Sequence, residues 1–120
     1  MPLATVKRKS AERRLLRRIL RLAKRAGWRA FHPAPARFGQ AWRTPYAGDS
    51  GFPDLVLVRP PVVLFVEVKA GKRKPTLMQQ QWLQALRQCG KVHACVWRES
   101  DWDAGVIQQI LQGGDEGEKA

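Results

Sequence analysis

Asp54, Glu67 and Lys69 interrupt the apolar run within GFPDLVLVRPPVVLFVEVKAGKRK, which extends from Gly51 to Lys74. If Pro60-Pro61 centres a turn between strands Leu55–Arg59 and Val62–Val68, Asp54 lies opposite Glu67 on the same face, with Cβ atoms about 5 Å apart. Lys69, two residues beyond Glu67, shares that face. Two carboxylates so placed repel, and a divalent cation relieves the repulsion. Mg²⁺ and Mn²⁺ take oxygen ligands, use one or two carboxylates and keep several waters. Such an ion polarises a phosphoryl oxygen and lowers the pKa of its bound water. A neighbouring lysine can orient or deprotonate the attacking water, or balance developing charge. With a basic surface to hold a phosphate backbone, the chemistry points to phosphodiester hydrolysis. The competing account makes Asp54 an ordinary strand start and Glu67 and Lys69 surface residues of an edge strand. The apolar neighbours and Pro53 speak against it.

The elements that must position this set follow from pattern and punctuation. Ser10 to Arg25 reads as a helix capped by Ser10 and ended by Gly27. Leu15, Leu16, Ile19, Leu20, Leu22, Ala23 and Ala26 form its apolar stripe. Trp28–His32 is a short strand, stopped by Pro33 and Pro35. Residues 33–51 form a long irregular stretch, of a length usually functional or disordered. The two Val/Leu-rich strands do not alternate cleanly, which predicts a central sheet covered on both faces. After a basic loop, Gly71–Pro75, a helix over Thr76–Gln88 turns Leu77, Trp82, Leu83 and Leu86 inward. Lys91–Trp97 is a fourth strand and Asp103–Leu111 a final helix. The predicted order is α-β-β-β-α-β-α, an α/β fold with a mixed central sheet flanked by helices. The domain reading is a basic arm over 1–9, one domain over 10–112 and a disordered polar tail over 113–120.

Charge is unevenly spread. The 120-residue chain has a net charge of +12, and residues 1–43 hold 13 Lys/Arg against one acid, Glu12, a net of +12 by themselves. Residues 44–120 hold 9 of each sign. This asymmetry predicts a polyanionic partner, most often nucleic acid. Arg14, Arg17, Arg18, Arg21, Arg37, Arg43, Lys72, Arg73 and Lys74 are the candidate phosphate contacts, with Trp42 a candidate for stacking on an unpaired base. A membrane surface is the rival partner, but the basic helix lacks the Trp/Phe-rich face that inserts into lipid. No segment approaches the length of an apolar membrane span, and the N-terminus has no secretory h-region. Cys89 and Cys95 read as reduced, buried, cytosolic thiols. His32 lies near the basic stretch and is a candidate phosphate contact, whereas His93 reads as structural. Neither has a second ligand at zinc spacing.

Pro53-Asp54 followed by Glu67-Val68-Lys69 resembles the signature of the PD-(D/E)xK nuclease superfamily. Gly51-Phe52-Pro53-Asp54, Gln79-Gln80-Gln81-Trp82 with Leu86, Gly90, Val96-Trp97-Arg98 and Ser100-Asp101-Trp102 resemble its VRR-NUC branch, as do Gly27-Trp28, His32 and Gly48-Asp49. The resemblance spans most of Ser10 to Leu111. It implies a restriction-endonuclease-like α-β-β-β-α-β core and an endonuclease dependent on Mg²⁺ or Mn²⁺, with no organic cofactor. Asp54, Glu67, the Val68 carbonyl and Glu12 are the implied metal ligands, Lys69 the catalytic lysine, and Gln79 a helix glutamine facing the site. The family often carries a glutamine one turn after the first-helix glutamate, where this chain has Leu16. An acid in a first helical turn also favours the helix dipole without any metal.

Stand-alone members resemble phage and archaeal Holliday junction resolvases. That implies branched or duplex DNA as partner, a homodimer, and the cytoplasm of a bacterial or phage-infected cell. Two alternatives stay open: a non-catalytic nucleic-acid-binding module, and a nick- or flap-specific nuclease that works as a subunit of a larger complex.

Overall fold

The computed structural model describes residues 3–33, 36–43 and 46–119, and the side chains of 8–33, 39–41 and 46–113. Helix α1 spans Leu3–Arg25. It starts well before Ser10, which sits inside the helix and does not cap it. No Gly or Pro lies between Leu3 and Lys9, so nothing in that segment stops the helix propagating towards the N-terminus. Gly27 ends it as expected, at φ 90°. The Gly27 and Trp28 amides donate back to the Lys24 and Ala23 carbonyls at 3.2 and 2.9 Å, the paired bonds of a left-handed helix terminus.

Strand β1 is Arg29–Phe31, β2 Ala36–Phe38, β3 Ala41–Arg43, β4 Leu55–Arg59 and β5 Val62–Lys69. They are followed by α2 Leu77–Arg87, β6 His93–Arg98, α3 Glu99–Asp103 and α4 Val106–Lys119. The main sheet has the order β1-β4-β5-β6. Its first two pairings are antiparallel and β5-β6 is parallel. The α1-β1-β4-β5-α2-β6 path is the expected mixed sheet with flanking helices.

The β4-β5 hairpin pairs Leu55 with Val66 through Arg59 with Val62, the register expected from a turn at Pro60-Pro61. Because β5 lies between β4 and β6, the edge-strand account of Glu67 and Lys69 does not hold. Leu55, Leu57, Leu64, Val66 and Val68 are buried with Leu15, Leu16, Ile19 and Ala23 of α1, Trp28, Trp97, and Ile107 and Leu111 of α4. On the opposite face coverage is partial: Val56, Val58, Val63 and Phe65 are half-buried, under α2 and the Phe52 ring.

Several expectations need correcting. Residues 36–43, expected to be irregular, form a small β2-β3 hairpin turning at Gly39-Gln40; Gly39 at φ 62° supplies the left-handed turn residue. Leu77 does not face inward but is 67% exposed. Six residues at about 100° each set it roughly 240° round α2 from the buried Leu83. The final helix is two elements, with α4 helical through Lys119 rather than ending at Leu111. Ile107 and Leu111, one turn apart, take the buried face, which leaves Val106 and Ile110 exposed. Cys89 is exposed, not buried. Cys95 is half-buried, and burial pushes its thiol pKa up to about 12.

Candidate active site

Asp54 stands just before β4, and its position is fixed from both sides. Pro53 is fully buried. Gly51, at φ 91°, packs so tightly under the start of α2 that a Cβ there would lie 2.6 Å from the Met78 carbonyl carbon. Only glycine fits this backbone and this approach. The Asp54 backbone carbonyl pairs with His32 Nδ1 at 2.8 Å. Asp54 Oδ2 accepts a hydrogen bond from the Val68 amide at 2.8 Å. A carboxylate that starts one strand is thereby tied to the backbone of the next.

Glu67 and Lys69 share a face of β5, as their spacing requires, and are 1% and 3% exposed. Lys69 Nζ lies 3.3 Å from Glu67 Oε2. Glu67 Oε1 is buried with no hydrogen-bond partner among the described residues, a costly state for a polar atom. Burial pushes the Glu67 carboxyl up to about 7, and the Asp54 charge adds to the rise while Lys69 opposes it. Burial likewise raises Asp54, against the Val68 hydrogen bond, Lys69 and His32, with Glu12 adding to the rise.

Glu12 reaches the far end of β5 from α1. Its Oε2 accepts from the Ala70 amide at 2.9 Å and pairs with Arg73 Nη1 at 3.0 Å. Among the described residues no three His, Cys, Asp or Glu side chains close on one point: the structure brings Asp54, Glu67 and Lys69 together and sets Glu12 beside them, held by other partners. Gln79 lies in the first turn of α2 next to Gly51, but its Oε1 accepts from the Thr76 amide at 2.8 Å in a capping box. Arg13, Arg14, Arg17, Arg21, Lys24 and Arg25 line the exposed side of α1, and Arg18 is half-buried. Lys72, Arg73 and Lys74 are exposed. The side chains of Arg37, Trp42 and Arg43 lie outside the described residues.

Arg98 was named in the sequence only within the Val96-Trp97-Arg98 resemblance, with no role given to it. Its Nη1 donates to the Gly71 and Arg73 carbonyls at 3.0 and 2.5 Å, so it clamps the basic loop that follows Lys69. Its only sequence signal is its place at the end of the last strand, level with Lys69 in the parallel pairing.

An acid pair, half-buried at Asp54 and buried at Glu67, with a lysine on the second strand of a hairpin inside an α-β-β-β-α-β frame, is the arrangement that the motif implied. The family model for the VRR-NUC domain matches residues 4–98. The chain belongs to the VRR-NUC family. This is a nuclease domain family, and the match ends at Arg98 with the clamp on the 71–74 loop. Helices α3 and α4 fall outside it, although α4 contributes Ile107 and Leu111 to the core of this VRR-NUC domain. A solved structure described as a VRR_NUC domain is similar, with TM-score 0.51 and 26% identity over 74% of this chain and 90% of the other. No curated protein matches the chain. Among the described residues of this VRR-NUC protein, no helix is long and apolar enough to cross a membrane.

The donor set suits a hard divalent ion. It offers one buried and one half-buried carboxylate, one oxygen without a hydrogen-bond partner among the described residues, and a strand backbone between Glu67 and Lys69.

Proposed function

We propose that the protein is a metal-dependent endonuclease that hydrolyses phosphodiester bonds in DNA, preferring branched DNA in the manner of a Holliday junction resolvase and acting as a homodimer. One observation carries the reading: Glu67, buried on a central strand beside Lys69, has an oxygen without a partner. An unpaired buried acceptor is costly, and a cation at that oxygen would offset the cost.

Asp54, Glu67 and the Val68 carbonyl would hold Mg²⁺ or Mn²⁺. When bound, such an ion supplies charge neutralisation at the phosphoryl oxygens and a more acidic water. The chain's own residues do the rest. The Val68 amide holds the Asp54 carboxylate in one orientation. Lys69, fixed by Glu67, directs its ammonium hydrogens at the attacking water or the developing phosphorane charge. Glu12, beyond Ala70, keeps the field over the acid pair negative and so favours a cation there. The arginines of α1 and the Arg98-clamped loop of Lys72, Arg73 and Lys74 bind flanking phosphates. The site faces one strand of the substrate, and a dimer would present two such sites to the two strands of a junction.

The test is cleavage of labelled four-way junction, flap, nicked, single-stranded and linear duplex DNA with Mg²⁺, Mn²⁺ or EDTA, run beside Glu67→Gln. Metal-dependent cutting that is lost in the variant, with binding kept, supports the reading. Cutting by the variant at the wild-type rate refutes the site. A second reading, a binding module that keeps the acids as scaffold, draws on the absence of a third His, Cys, Asp or Glu at ligating position among the described residues. Tight, salt-sensitive binding with no cutting on any substrate would favour it. Preference for nicks or flaps over junctions would place the protein with nick- or flap-specific nucleases.

A further inference from the structure

A cavity of about 660 Å³ opens beside Asp54, and neither Glu67 nor Lys69 lines it. Its lining includes Phe31, Tyr46, Asp49, Phe52 and Trp82, with Asp54 at its margin. The size falls within the roughly 300–1,000 Å³ of small-ligand sites. Two of its aromatic rings are unusually open: Phe31 is 62% exposed and Tyr46 66% exposed. Phe52, by contrast, is held edge-on by Phe65 and Trp82, with ring centroids 5.9 and 5.0 Å away. Among the described residues neither Phe31 nor Tyr46 stacks on another aromatic ring. The cavity therefore has a fixed aromatic wall and two free faces.

Its charge narrows the occupant. Among the described residues the lining holds Asp49 and Asp54 and no Lys or Arg, although the protein carries a net +12. Away from Asp54, the Asp49 carboxylate disfavours a phosphate group inside the cavity. A neutral, flat heteroaromatic ring is suited: its faces stack on the open rings, and exocyclic amino groups can donate to Asp49 or Ser50. We infer that the cavity takes an unpaired nucleobase of the strand whose phosphate lies at Asp54, stacked on Phe31 and Tyr46. This rests on the nuclease reading above and deepens it. A base inside a duplex is stacked on both faces and cannot enter such a site without leaving the helix. The preferred substrate then has an unpaired nucleotide next to the bond that is cut, as at a branch point, gap or flap.

The experiment uses the full chain in EDTA, so that binding is read without cutting. DNA hairpins carry 2-aminopurine either in an unpaired position or within a continuous duplex. Phe31→Ala, Tyr46→Ala and Tyr46→Phe are compared with wild type, with circular dichroism to confirm folding. The expected result is quenching of the unpaired probe by wild type and Tyr46→Phe, and about tenfold weaker binding of that hairpin by each alanine variant, with duplex binding unchanged. Equal loss on both DNAs, no loss on either, or an oligomer that dissociates in Tyr46→Ala would each overturn the inference. The last would mark the rings as a protein-protein contact. Cleavage in Mg²⁺ or Mn²⁺ separates the two claims. Wild type that quenches the probe and cuts nothing would sink the nuclease reading alone. Wild type that cuts, with no discrimination by the ring variants, would sink only the base site.

Discussion

The Val68 amide donates to Asp54 Oδ2 at 2.8 Å, so the acid on one strand is oriented by the backbone of the residue that separates Glu67 from Lys69. The three candidate catalytic groups are thus a single mechanical unit rather than neighbours by coincidence. Disturbing the hairpin should disturb all of them together.

The buried Glu67 gives a pH signature in the metal-free protein. Its carboxyl is raised from 4.5 to about 7 by burial, Asp54 adding to the rise. The folded state therefore keeps a proton that the unfolded chain releases, and stability falls as pH rises from about 4.5 to about 7. The full swing is on the order of 3 kcal/mol. Urea unfolding in EDTA at pH 5 and pH 7.5 should show this loss in wild type and much less of it in Glu67→Gln.

Gly51→Ala should be strongly destabilising. It combines positive φ with a Cβ 2.6 Å from the Met78 carbonyl carbon. We expect a loss of about 2 kcal/mol or more, together with reduced cleavage even where the fold survives, because α2 must move away from the Asp54 segment. Denaturant midpoints and cleavage rates measured on one preparation check both parts.

Arg59 supports the end of the molecule away from the acids. Its Nη1 donates to the Ala26 and Leu111 carbonyls at 2.9 and 3.0 Å, and its guanidinium sits 4.6 Å from the Trp28 ring centroid. Arg59→Ala should cost about 2 kcal/mol while the folded fraction cuts DNA at the wild-type rate. A change in rate without a change in stability would contradict this division.

The exposed arginines of α1 should appear in salt dependence. Replacing Arg17 and Arg21 together by Ala should lower the slope of log K against log salt by about 1.8 on duplex DNA if each meets one phosphate. Binding isotherms between 50 and 300 mM salt measure it. An unchanged slope would remove this face of α1 from the interface.

The sequence showed the hairpin and its acid pair because β-strand parity and a two-residue turn leave little freedom in register. It showed the termination of α1 at Gly27 because only one residue type suits that backbone. The start of α1 was hidden, since residues 3–9 carry no punctuation and charge alone does not stop a helix. Leu77 was misplaced because apolar identity was read before angular position. The roles of Arg73 and Arg98 were invisible for a different reason. Each depends on a contact across distant segments, Arg73 with Glu12 and Arg98 with Gly71, and no local pattern records such pairs.

The placement of β5 has a consequence for how the protein is made. Its neighbour on one side, β6, leaves the ribosome after β5 and α2, and until then VVLFVEVK is an open sheet border. Apolar strands in that state recruit other nascent chains. Glu67 and Lys69 are then the only charges along that border, and charges at such positions deter strand-to-strand association. If the pair that is later buried on β5 guards the chain during its own synthesis, a variant that neutralises both should form more insoluble protein at birth than its final stability explains.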